Sequence, residues 1–287
     1  MVRPIAFLAG LGFVFVLLFS LVNGAVAYIS EPPKPTVEHE FHLHPKEVHF
    51  ASDGALGKFD LQQLQRGFQV YKEVCSACHS LNQVAFRDLE HIGFTGPEVK
   101  AIAKNWAIEV PSINPATGEP ATRKATPADK FPSPYANEVA GRAANNNALP
   151  PDLSLMTKAR HDGPAYVYSL LTGYAAQEGY KNDAGKELLK EFPDAKTSPM
   201  LHFNPYFANL NIAMPPPLVA DGQVSYADGT PATVDQMAKD VAAFLVWTAE
   251  PKLQTRHEVG LWFTLYLLLA TALAFMAYRN IWSRVKH

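Results

Sequence analysis

Residues 75–79 read Cys-Ser-Ala-Cys-His, set at the end of the run RGFQVYKEVCSACHSL that begins at Arg66. C-x-x-C-H puts two thiols and an imidazole on one turn of chain. The spacing lets the thiols reach two vinyl groups on one porphyrin edge while the imidazole reaches iron from one face. Cys75 and Cys78 are the only cysteines in 287 residues, so a long-loop disulfide framework is impossible. Two other chemistries use the same residues. A thioredoxin-like dithiol should follow a strand inside a βαβ pattern, and here an amphipathic helix pattern precedes it. A zinc site would need a fourth ligand and a second cysteine pair, and there is none. The expected cofactor is therefore one haem c, held by two thioether links at Cys75 and Cys78 and ligated by His79.

N-terminal to this motif, Asp60 with Gln63 forms a capping-box pattern opening a helix on which Leu61, Leu64, Phe68 and Tyr71 share a face and which leads into Cys75. Thr233 with Gln236 forms a second, opening a helix to about Glu250 that Pro251 stops; Met237, Val241, Phe244, Leu245 and Thr248 share its inner face. Tyr166 to Tyr174 reads as a short helix ending at Gly173. Glu31 to Phe50 is polar, carries His39, His42, His44 and His49, and lacks a period, so it reads as an extended lead-in; the histidine spacing matches no standard metal site. Trp106 to Pro134 is rich in Pro, Thr, Ala and Asn and reads as a surface excursion without visible chemistry. There is no internal repeat and no strand pattern strong enough for a sheet core.

The two ends differ from the middle. Arg3 precedes an uncharged apolar run from Ile5 to Val22, then Ala25-Val26-Ala27, so residues 1–27 read as a secretory signal. The run is long enough that an uncleaved anchor is the alternative, and either version exports the chain downstream of it. Val259 to Tyr278 gives 20 residues without a charge, about 30 Å as a helix and the thickness of a hydrocarbon core. Trp262, Tyr266, Tyr278 and Trp282 lie near its interfaces, and Arg279, Arg284 and Lys286 come after it. The positive-inside rule places the 279–287 tail in the cytoplasm and residues 28–256 on the outer, periplasmic face of a bacterial-type inner membrane. That exported body has a net charge of −5, which favours a basic partner. A formal charge of −2 for the chain, with no Lys/Arg run among aromatics, argues against nucleic acid.

The sixth position on the iron decides between a saturated electron carrier and an open, ligand-binding haem. Among Met156, Met200, Met214 and Met237, Met237 faces its own helix core, whereas Met214 precedes Pro215, Pro216 and Pro217, a stiff non-helical stretch able to hold a side chain over a haem face. Met214 is the expected distal ligand. A backbone carbonyl should orient His79 through its other ring nitrogen, and the ALPPDLS stretch around Pro150 and Pro151 is suited to this. Propionates need cationic or hydroxyl partners, and Arg142 and Arg160 are both placed for it. The rival classes are an anchored haem enzyme or sensor with an open sixth site, and the haem subunit of another membrane oxidase or reductase.

The residues from about 55 to 285 resemble the cytochrome c1 family, the haem subunits of ubiquinol:cytochrome c reductases. RGFQVYKEVCSACHSL, GRAANNNALPPDLS, ARHDGPAYVYSLLTGY, LHFNPYFANLNIAMPPPL and DGTPATVDQMAKDVAAFLVWTAEP carry the likeness in order and spacing. The resemblance implies a mainly α fold, a class I cytochrome c-like haem domain with a C-terminal transmembrane anchor helix. It implies Cys75 and Cys78 as thioether cysteines, His79 as proximal and Met214 as distal ligand, Asn145 and Pro151 in the haem pocket, and Arg160 with Tyr166 as propionate partners. It further implies electron transfer from a Rieske iron-sulfur protein to cytochrome c, in a complex with cytochrome b. Nothing transfers to residues 106–134, and the extra disulfide of some bacterial members has no cysteines here.

Overall fold

A computed structural model describes residues 2–32 and 34–283. Arg284 and Lys286 of the expected basic tail lie outside the described residues. The chain forms α1 (Val2–Ser30), α2 (Val37–Phe41), α3 (Leu61–Glu73), α4 (Gly96–Lys104), α5 (Glu138–Ala144), α6 (Met156–Ala159), α7 (Gly163–Leu171), α8 (Leu188–Glu191), α9 (Val234–Ala249) and α10 (Leu253–Trp282). Six short strands pair antiparallel in twos: β1 (Leu81–Ala85) with β4 (Lys130–Phe131), β2 (Val110–Ile113) with β3 (Pro120–Arg123), and β5 (His202–Phe203) with β6 (Asn211–Ile212). The fold is mainly helical as expected, and among the described residues no sheet forms a layer.

The core is built where α3 crosses α9, with α6 and α7 packed on α9. Leu64, Phe68 and Tyr71 of α3 and Met237, Val241, Phe244 and Leu245 of α9 are buried in one cluster. The crossing is close enough to require glycine: a Cβ on Gly67 would lie 2.1 Å from the Asp240 carbonyl oxygen and 2.6 Å from the Phe244 Cβ. Leu61 departs from the expected face and is exposed.

Both helix caps form, but neither closes as a full box. The Asp60 carboxylate accepts from Gln62 N and Gln63 N, and Thr233 Oγ1 accepts from Gln236 N. The two glutamines, which a box would turn back to the cap, instead converge on the fully buried Asp240, donating to its Oδ1 at 3.1 Å from Gln63 and 2.8 Å from Gln236. Arg66 Nε donates to Asp240 Oδ2 at 2.9 Å and its Nη1 to Asp228 at 2.7 Å. A buried carboxylate is tolerated only with such partners, and these four groups hold the α3–α9 seam in one register.

Residues 106–134 are not merely a surface excursion. The β2–β3 hairpin is on the outside apart from the buried Val110 at its root, and Trp106 and Phe131 are buried, with Phe131 4.2 Å from Phe86 and 5.0 Å from Trp106 between ring centroids. Aromatic rings bury more area than any other side chain, so two of them are enough to draw a polar segment inward. The lead-in is also more ordered than its composition suggests. It contains α2, and Phe41 is buried with Leu188, Phe203 and Leu210 in a second small core. Among the described residues no cluster of three metal-ligating side chains forms, at the lead-in histidines or elsewhere. The third expected helix begins earlier than its pattern suggests, at Gly163, and its last residue is Leu171.

The apolar stretches of α1 and α10 carry no buried residue, and each helix is long and apolar enough to cross a membrane. The expected span 259–278 lies within α10. The root of α10 is tied to the domain: Lys158 Nζ is 2.9 Å from Glu250, Arg256 pairs with the same carboxylate, and His257 Nδ1 is 3.1 Å from the Gly57 carbonyl.

Candidate haem-attachment site

Cys75 stands at the end of α3 and opens a short 3-10 turn, Cys75–Ala77. The N–H groups of Cys78 and His79 both donate to the Cys75 carbonyl, at 3.1 and 2.9 Å, so one tight turn presents both thiols and the imidazole together. The thiols are half-buried and not joined to each other. Burial, then the neighbouring Cys78, pushes the Cys75 thiol up to about 12. Without a neighbouring cation to lower it, this thiol lacks the environment of an activated nucleophile.

His79 Nδ1 lies 2.7 Å from the Pro151 carbonyl oxygen. A carbonyl only accepts, so Nδ1 carries the proton and Nε2 keeps its lone pair. Burial lowers the His79 pKa, with Pro151 and Asp152 opposing, which further favours the neutral imidazole. The turn is held from two more sides. Tyr71 Oη donates to the His79 carbonyl at 3.0 Å. Asp152 accepts from Ser80 Oγ at 2.8 Å, Asn82 N at 2.7 Å and Ser154 N at 2.9 Å, binding the PPDLS segment to the chain just after His79.

The remaining expected residues fall into two groups. Asn145 does not reach the imidazole; its Nδ2 donates to Tyr135 Oη at 2.8 Å and to the Gly141 carbonyl at 2.7 Å. Tyr135 in turn neighbours Cys78: burial raises its phenol, Asn145 opposes, and the Cys78 thiol adds to the rise. Arg160 and Tyr166 stand side by side. Burial raises the Tyr166 phenol, and the adjacent Arg160 guanidinium pulls against it. Tyr166 is also the neighbour of Tyr174, whose hydroxyl donates to the Met214 carbonyl at 3.0 Å. Arg142, the other candidate arginine, donates to the Asn147 carbonyl. Of the methionines, Met237 is wholly buried in the α9 core and Met200 is 53% exposed. Met214 is half-buried on the loop before the three prolines.

Four residues of the site, Tyr71, Tyr135, Asp152 and Tyr174, have no site role in the sequence patterns, where Tyr71 figures only on a helix face and Tyr174 only at a helix end. Asp152 stands inside PPDLS as its acidic residue; the tyrosine hydroxyls bond to groups that no local pattern reports.

The donor set fits a c-type haem: two free thiols and an imidazole presented by one tight turn, the imidazole in the tautomer that frees Nε2, and an adjacent Arg160–Tyr166 pair of the chemistry that propionates need. Such a site on a helical domain with a membrane-length helix defines the class of membrane-associated haem electron-transport proteins. Similarity to known proteins narrows the class. Residues 50–285 match the family described as the Cytochrome C1 family. The chain is 46% identical over 241 residues to a cytochrome c1 from Rhodospirillum rubrum, covering 82% of this chain and 86% of that one. It is 42% identical over 248 residues to the mitochondrial cytochrome b-c1 complex catalytic subunit of Candida albicans, covering 86% and 81%. It is 42% identical over 238 residues to the cytochrome b/c1 of Bradyrhizobium diazoefficiens, covering 80% of this chain and 34% of that longer one. The chain belongs to the cytochrome c1 family. Membership implies a haem.

Proposed function

We propose that this chain is the electron-transfer subunit of a quinol:cytochrome c reductase of the cytochrome bc1 type, with one haem attached through thioether links at Cys75 and Cys78. His79 is the proximal ligand through Nε2 and Met214 the distal ligand. Arg160 and Tyr166 hold the propionates, and Asn145 and Pro151 bound the pocket. The observation that carries this reading is the 2.7 Å bond from His79 Nδ1 to the Pro151 carbonyl, made by the histidine of C-x-x-C-H.

When bound, the haem supplies a one-electron redox couple. The protein's part is to hold still around it. Pro151 fixes one imidazole tautomer and one ring orientation, and Tyr71 anchors the His79 backbone. Met214 stands on a stretch whose φ angles are set by proline rings, so a change of charge at the site requires little movement. Arg160 would offer a cation to the propionates. The chain makes and breaks no substrate bonds.

The electron arrives from a Rieske iron-sulfur protein and leaves to cytochrome c. The names of the Candida and Bradyrhizobium relatives support membership of a complex with cytochrome b. The −5 charge of the exported body supports a basic acceptor. The chain is anchored in a bacterial-type inner membrane by α10, with residues 1–27 a signal or an uncleaved anchor, residues 28–256 periplasmic and the basic 279–287 tail cytoplasmic; the order of apolar span and basic residues supports that orientation.

Haem staining after denaturing electrophoresis tests attachment: stain follows the wild-type chain and is lost from Cys75→Ala/Cys78→Ala. Purification from membranes tests the rest: cytochrome b and a Rieske protein accompany the chain, and the reduced haem does not bind carbon monoxide. Carbon monoxide binding to the native reduced protein would support the open-site rival instead.

A further inference from the structure

The carbonyl of Met214 is in an unusual position for a loop. A turn would satisfy it with a backbone N–H two to three residues on, but those residues are Pro216 and Pro217, which have none. The prolines that stiffen the loop also deprive it of its own hydrogen bonds. Among the described residues the carbonyl is met by one donor, the hydroxyl of Tyr174, at 3.0 Å. Tyr174 lies 40 residues earlier in the chain, three residues past the last residue of α7.

Its approach is built into the end of that helix. At Gly173 a Cβ would meet the Tyr206 ring at 2.3 Å, so only glycine lets the chain pass there and bring Tyr174 beneath the loop. A second bond joins the same two elements: the fully buried Asn204 donates from Nδ2 to the Leu170 carbonyl at 2.8 Å, near the end of α7. The loop that ends in Met214 is thus pinned at Asn204 and at Met214. The Asn204 bond sets where the loop starts; the Tyr174 bond sets where its methionine sits.

We propose that Tyr174 is a positioning residue for the distal ligand: by donating to the Met214 carbonyl it fixes the backbone from which the Met214 side chain projects, and so maintains thioether ligation. The proposal rests on Met214 being that ligand. It assigns Tyr174 no contact with the haem.

The test compares Tyr174→Phe, Tyr174→Leu and Met214→Leu in the membrane complex. The readouts are the methionine-to-ferric-iron charge-transfer band, the midpoint potential, and the fraction of reduced haem that binds carbon monoxide. Removing one hydrogen bond should raise the carbon monoxide-competent fraction about tenfold in Tyr174→Phe, weaken the band and shift the potential. Tyr174→Leu should do no less. If Tyr174→Leu alone changes these readouts, the ring acts by packing and the positioning role is overturned. If Met214→Leu shifts spectrum and potential while Tyr174→Phe does not, the positioning role falls and the ligand assignment stands. If Met214→Leu changes nothing, the ligand assignment itself falls. Should Tyr174→Phe not assemble, 3-fluorotyrosine at position 174 keeps the ring and strengthens the donor; a shifted potential supports the proposal and an unshifted one overturns it.

Discussion

His79 and Pro151 meet through a 2.7 Å bond between the ring Nδ1 of one and the carbonyl of the other, 72 residues apart. Because Pro151 acts through its backbone, no side-chain substitution at 151 removes the bond. What holds the carbonyl in place is the next residue. Asp152 takes three hydrogen bonds, from Ser80, Asn82 and Ser154, and two of these tie the segment to the chain beyond His79.

Asp152→Ala is therefore expected to loosen the His79 orientation as well as the fold. Three donors lose a shared acceptor, and bonds to a charged partner are worth about 1.5–3 kcal/mol each in favourable settings. With the site half-buried and water able to replace part of the loss, we expect about 2–4 kcal/mol of destabilisation by denaturant titration. A shift in midpoint potential should accompany it, which a remote substitution of equal cost does not give.

The α3–α9 seam gives a second expectation. Gly67→Ala would drive a methyl group to 2.1 Å from the Asp240 carbonyl oxygen, so the helices must separate. Overpacking of this kind costs about 1–3 kcal/mol when the structure relaxes, and more when backbone is the obstacle. Calorimetry should show Tm lowered by about 5–10 °C for a domain of this size.

Asp240 at the same crossing gives a third. Asp240→Leu leaves Arg66 without its inner partner and strands two glutamine amides. Breaking a buried ion pair costs about 3–5 kcal/mol, largely from the charge left behind. Adding Arg66→Met to the Asp240→Leu background removes that charge, and the double variant should recover a large part of the loss in a denaturation cycle.

Acid sensitivity should be local. The bond from Arg123 to Asp129 depresses the Asp129 pKa well below the ordinary carboxylate value, burial opposes, and Thr126 adds to the depression. A carboxylate depressed in the folded state contributes stability that is present above its unfolded value, near 3.9, and is lost as pH falls toward the folded value. Hydrogen exchange in residues 110–131 should accelerate between about pH 5 and pH 3 relative to the α3–α9 core. Asp129→Asn should exchange fast at both pH values.

Much of this is legible in the sequence where a local pattern reports the physics. The Asp60 and Thr233 caps, the buried faces of α3 and α9, the span inside α10 and the Pro151 carbonyl all show in neighbours within a few residues. The departures share a cause. Gln63 and Gln236 match a local box, but a buried carboxylate 177 residues from Gln63 is the stronger partner. Trp106 and Phe131 are drawn inward by rings far away in sequence, and β4 is too short to show a period. The start of α7 is marked by Pro164 in its first turn, a signal outside the apolar pattern that begins at Tyr166. Tyr174 has no local signal at all, since its acceptor is a backbone atom.

The midpoint potential of Met214→Leu in purified membrane complex tests whether His79 and Met214 would together hold the iron of a haem attached at Cys75 and Cys78. The haem should remain attached, since Cys75 and Cys78 are untouched. The potential should fall by on the order of 0.1 V or more, within the roughly 0.8 V that axial ligands command. An unchanged potential with an unchanged reduced spectrum would contradict the account.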